Sequence, residues 1–112
     1  MTGIDNQQDI LQKLYEIVSV SRPEGIGEAS CKFDLELFED GSSSVGQFFE
    51  YLDQDGVWVS SALDRELRLP VSKLVKDLHS DMLNHTGGDW DWFTLKIDSA
   101  EKVSVQFNYR NN

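Results

Sequence analysis

Cysteine is nearly missing from this chain. Cys31 stands alone, so no intrachain disulfide can form. It sits in an alternating apolar run and reads as a buried small hydrophobe rather than a reactive thiol. Basic residues are also scarce, 10 against 20 acidic ones, which leaves a net charge of −10. Duplex nucleic acid and anionic membranes repel such a surface, because binding to them relies on Lys and Arg. A basic protein partner is favoured instead. No apolar stretch approaches the length of a membrane span. The first fifteen residues contain Asp5 and Asp9 and no apolar core of a signal peptide. The expected location is a reducing cytoplasm, away from the membrane.

Recognisable chemistry is sparse too. Gly87-Gly88 precedes a strand-like segment rather than opening a helix, so it is no phosphate loop. His79 and His85 are six positions apart and fall on different faces of one helix. Together with Asp81 they make a poor metal site, and no cysteine pair assists. Asp53-Gln54-Asp55-Gly56 resembles a calcium loop superficially, but it lacks the third acidic ligand and the bidentate Glu. No nucleophile stands in a motif with a base and an orienting group. These gaps point away from an enzyme, and neither cofactor nor metal is expected.

Amphipathic pattern, by contrast, is plentiful. Ile10, Leu11, Leu14, Ile17 and Val18 predict a helix over 5–20, with Asp5 as its cap. Alternation predicts a strand over 30–39, with Cys31, Phe33, Leu35 and Leu37 on one side and Lys32, Asp34 and Glu36 on the other. A second strand covers 45–52, with Phe48, Phe49, Tyr51 and Leu52; its inward face is ambiguous. Asp53-Gln54-Asp55-Gly56 marks a hairpin turn into a short third strand over 57–61. Val71, Leu74, Val75, Leu78 and Met82 predict a second helix over 70–84, with Pro70 in its first turn. Phe93, Leu95 and Ile97, then Val103, Val105, Phe107 and Tyr109, predict two final strands. The order α-β-β-β-α-β-β, with short β–β connections, predicts a single α+β domain. It should hold an antiparallel sheet of about five strands, with two helices on one face and a wet opposite face.

Two segments interleave tryptophan with carboxylates: Asp89-Trp90-Asp91-Trp92-Phe93, and Asp53 and Asp55 just ahead of Trp58. Tryptophan beside charge is a frequent anchor at protein interfaces. Trp92 or Phe93, whichever faces inward, is expected in the core. Trp90 and Trp58 stand open between core and anchor. The candidate partner-binding residues are therefore Asp53, Asp55, Trp58, Asp89, Trp90 and Asp91.

Phe48-Phe49-Glu50-Tyr51, Asp55-Gly56, Trp92 with Thr94-Leu95, and Phe107-Asn108-Tyr109 fall where the YezG-like family of bacterial immunity proteins carries its own motifs. These are an aromatic strand and turn, a Trp-led strand and a closing aromatic strand. The chain resembles that family over most of its length in element order. Where the family often has a glycine before its last strand, this chain has Ala100-Glu101-Lys102. The resemblance implies a cytoplasmic immunity protein, or antitoxin. Such a protein binds and neutralises a cognate toxin, often a nuclease, by occluding a basic surface. It would not touch nucleic acid itself. Two other classes stay open: an acidic adaptor or chaperone-like module without a toxin, and a small-ligand-binding or enzymatic domain. A deep apolar pocket with convergent polar groups would favour the last.

Overall fold

The helix of the first segment is longer than its apolar stripe. In the computed structural model, which describes residues 3–110, α1 runs Gly3–Ser21. Asp5 thus lies within α1 rather than ahead of it, and its side chain falls outside the described residues. Ile10, Leu14, Ile17 and Val18 are buried from one face of α1, as their spacing requires. Ser21 ends the helix by donating its hydroxyl to the Ile17 carbonyl at 2.8 Å. The same oxygen accepts the Asp64 amide at 2.9 Å, which ties the helix end to a distant loop.

The strands are β1 (Ala29–Leu37), β2 (Ser43–Leu52), β3 (Trp58–Ser61), β4 (Trp90–Ile97) and β5 (Val103–Tyr109). A four-residue helical turn, α2 (Arg65–Arg68), precedes the second long helix, α3 (Val71–Thr86). Pro70 sits just before α3 rather than within it, and Gly87, at φ 74°, ends it in the left-handed cap that glycine favours. All strand pairs are antiparallel, in the order β3-β2-β1-β4-β5. Both long helices cover one face of this sheet, as the alternation of β1 and β4 predicts.

Register settles the ambiguity of β2. Phe49 is paired with Cys31 and shares its buried side, while Phe48 is paired with Lys32 and faces away from the helices. The core joins Ala29, Cys31, Phe33 and Leu35 of β1 to Phe93, Leu95 and Ile97 of β4, under Leu14, Val18, Val75 and Leu78. Phe33 and Phe93, opposite each other in β1 and β4, stack at 5.1 Å between ring centroids. Leu37 departs from its expected burial. It is 52% exposed, at the last residue of β1. Val103 and Tyr109 are likewise exposed, because β5 lies at the sheet's edge.

The three hairpins share one turn. The first residue of each donates its amide to the carbonyl of the fifth: Phe38 to Ser42, Asp53 to Val57 and Asp98 to Lys102, each at 2.9 Å. The fourth residue takes positive φ: Gly41 at 89°, Gly56 at 80° and Glu101 at 63°. This is the type I turn with a left-handed residue that three-residue hairpin loops favour. Glycine fills it twice. Glu101 fills it the third time, held by an ion pair to Arg22 at 2.9 Å. Arg22 is itself anchored on the Gly27 carbonyl at 2.6 Å.

Candidate functional site

The helix-free face of the sheet carries the largest group of exposed aromatic side chains with charge around them. Cross-strand register aligns Trp58 with Leu52, Glu50 with Ser30 and Lys96, Phe48 with Lys32 and Thr94, and Gly46 with Asp34 and Trp92. All of these side chains alternate away from the core. Phe48 is 59% exposed and Trp58 39%. Trp92 is half-buried on the same face, so it is Phe93 that faces the core. The Lys32 ammonium lies 4.7 Å from the Trp92 ring centroid and 5.9 Å from that of Phe48. Lys96 reaches 5.8 Å from the Trp58 ring. Cation–π contact of this kind is worth about 0.5–1 kcal/mol at exposed sites. Asp34, Glu36 and Glu50 supply the acidic charge of this face. The Asp34 carboxylate accepts the Gly46 amide at 2.9 Å, and a Cβ on Gly46 would meet that oxygen. Glycine there lets an acidic group lie across the strand.

The residues singled out from sequence do not form one site. The Asp53–Val57 turn and the start of β4 lie at opposite ends of the sheet, since Ala29 pairs with both Tyr51 and Ile97 while Asp34 pairs with Trp92. At the first end, the Asp53 carboxylate is committed to the turn: it accepts the amides of Asp55 and Val57, each at 2.9 Å. Asp55 is exposed, and Trp58 lies on the open face.

At the other end the sequence reading needs correction. Trp90 is fully buried and cannot anchor a partner. An irregularity between Trp90 and Trp92 turns the indole inward, where strict alternation would set it on the open face with Trp92. There it packs against His79, Phe93 and Phe107 at 5.1, 5.0 and 5.7 Å. Asp89 is no free rim charge either. His79 Nε2 lies 2.9 Å from its carboxylate and Arg110 Nε 3.1 Å. The hydrogen bond to His79, then desolvation opposing it, then Arg110, leave the Asp89 carboxyl below its ordinary range. Arg110 also donates to the Leu35 carbonyl at 3.0 Å, so this cluster fastens α3, β4, β5 and β1 together. Asp91 accepts the Asn108 side-chain amide at 2.8 Å. The residues that the sequence reading passed over are Phe48 and Trp92. Their signal was the even-numbered parity of β2 and β4, which needed the register to resolve.

The two histidines have separate partners, His85 lying 3.0 Å from the Asp81 carbonyl and His79 on Asp89. Among the described residues no three His, Cys, Asp or Glu side chains converge as a metal would require. Cys31 is buried, and desolvation pushes its thiol up to about 12. An open groove of about 490 Å³ lies between α1 and the α2–α3 segment, lined mainly by Ile17, Val20, Leu67, Pro70 and Leu74. Among the described residues no helix is long and apolar enough to cross a membrane.

Fold and site together define a single α+β domain with a helix-covered sheet and an aromatic, acid-bearing open face. No known protein family and no curated protein matches the chain.

Proposed function

We propose that this is an immunity-type inhibitor that binds a basic protein, a toxin of the nuclease kind, and blocks its substrate cleft with the open sheet face. The observation that carries the reading is the placing of Phe48, Trp58 and Trp92 on a solvent-facing sheet beside Asp34, Glu36 and Glu50. Aromatic rings carried on strands and held by neighbouring lysines are preorganised anchors, and little entropy is lost when they are covered. A net charge of −10 speeds encounter with a cationic surface. A nuclease cleft is cationic because it must hold phosphates. Occlusion needs no chemistry from the inhibitor.

The test is co-expression with the protein encoded by the adjacent gene, followed by affinity purification at low and high salt. Stoichiometric co-purification that weakens with salt is expected. An adjacent-gene product that never co-purifies overturns the immunity reading.

A further inference from the structure

The two edges of the sheet are built differently. At one edge, β3 is four residues long and gives a neighbouring chain little to pair with. At the other, β5 runs for seven residues, Val-Ser-Val-Gln-Phe-Asn-Tyr, with no charge and no proline. Natural edge strands carry lysine, proline or bulges to prevent pairing with another chain. Here the irregularity belongs to β4, between Trp90 and Trp92, and β5 stays regular.

Lys102 and Arg110 direct their backbone groups back into the domain, through Asp98-to-Lys102 and Arg110-to-Asp89 bonds of 2.9 and 2.8 Å. By alternation the backbone groups of Val103, Val105 and Phe107 point outward from the edge. Beside them, between β5 and α1, runs a mainly apolar groove of about 300 Å³, lined by Leu11, Tyr15, Leu95, Val103 and Val105 with Gln8 and Gln12 beside them.

We propose that β5 is a self-association edge: a second copy of this chain pairs with it antiparallel, extending the sheet across a two-fold axis at Gln106. The strand is self-complementary about that residue. Val105 meets Phe107 of the second copy, Val103 meets its Tyr109, and Ser104 meets its Asn108. Apolar residues thus face apolar ones on the helix side, and polar face polar on the open side. No like charges oppose each other within the strand. Lys102 falls opposite Arg110 of the second copy, whose guanidinium already pairs with Asp89 at 3.1 Å. The groove along α1 receives the inward-facing side chains of the added strand, as strand-addition sites do.

A second copy is set apart from a cationic partner by the sign of its salt response. Two chains of charge −10 repel each other, so self-association strengthens as salt screens them. Sedimentation velocity over a range of protein concentrations, at low and high sodium chloride, reads this directly. The expected result is a shift from monomer to dimer with concentration, at lower concentration in high salt. Gln106→Lys, which sets two cations face to face on the axis, should raise the midpoint by up to about fivefold. At concentrations where both proteins are monomeric its thermal midpoint should match the parent's, because Gln106 is exposed. Gln106→Cys should form a disulfide-linked dimer on mild oxidation, since non-hydrogen-bonded pairs bring Cα atoms to about 4.5 Å. A monomer at every concentration, or a dimer that ignores Gln106→Lys and does not cross-link through Gln106→Cys, overturns the proposal.

Discussion

The His79 imidazole and the Asp89 carboxylate meet at 2.9 Å, joining α3 to the start of β4 with Trp90 packed beside the imidazole. The contact has a pH consequence. The Asp89 carboxyl is held below its ordinary range by His79 and Arg110. Its folded value lies below its unfolded one, so its contribution to stability is complete at neutral pH. That contribution is lost as pH falls below about 4, through the depressed value. Asp89→Asn should cost roughly 1.5 kcal/mol at neutral pH, the lower end for a hydrogen bond to a charged group, because the carboxylate is partly exposed. The difference in thermal midpoint between the two proteins should shrink as pH drops from 5 to 2. A difference constant over that range would place the stabilisation elsewhere.

Cys31 is expected to be chemically silent in the folded protein. Its thiol is buried and pushed up to about 12, so almost no thiolate exists at neutral pH. A thiol reagent should modify it only at the rate of unfolding, and fast in denaturant. Rapid labelling under native conditions would contradict the packing of β1.

Glu101 offers a test of the shared turn. Its φ of 63° is a conformation that glycine occupies in the other two hairpins. Glu101→Val should cost about 1–2 kcal/mol, because a β-branched residue resists that conformation. Glu101→Gly should stay within roughly 0.5 kcal/mol of the parent. Relief of the backbone is offset by the freer unfolded chain and by the lost ion pair, and each of these effects is of order 1 kcal/mol or less. Chemical denaturation of the two variants gives the comparison, and a Val variant as stable as the Gly variant would count against the turn assignment.

The tryptophans divide sharply. Trp90 is fully buried whereas Trp58 is 39% exposed. Trp90→Ala should cost about 3–5 kcal/mol, the range for a large core side chain. That is much of the stability of a small domain, and the variant should be poorly folded. Trp58→Ala should cost under about 1 kcal/mol. Similar thermal midpoints for the two variants would contradict the inward turn of Trp90.

Most of the fold was legible because β1 and β4 alternate cleanly and α1 and α3 carry single apolar stripes. Cys31, Phe33, Phe93 and Leu95 each lie where period two places them. Four features escaped. The burial of Trp90 depends on a local irregularity that shifts parity, and periodicity assumes there is none. The facing of Phe48 depends on register, because β2 has apolar residues at both parities. The structural duty of Asp53 and Asp89 was invisible for a different reason. A carboxylate that caps a turn or holds a histidine has the same sequence signature as one that waits for a partner. The α2 turn was missed because its four residues are too few to show a helical period.

The proposed interface is the open sheet face, and neither the Asp53 turn nor the start of β4. Surface plasmon resonance of the Phe48→Ala/Trp58→Ala double variant against the adjacent-gene product tests it most directly. The double variant should keep its fold by circular dichroism and dissociate faster by about 30-fold or more, the equivalent of losing ~2 kcal/mol of anchor contact. A double variant that dissociates at the parent rate, from a complex that the parent does form, would contradict it.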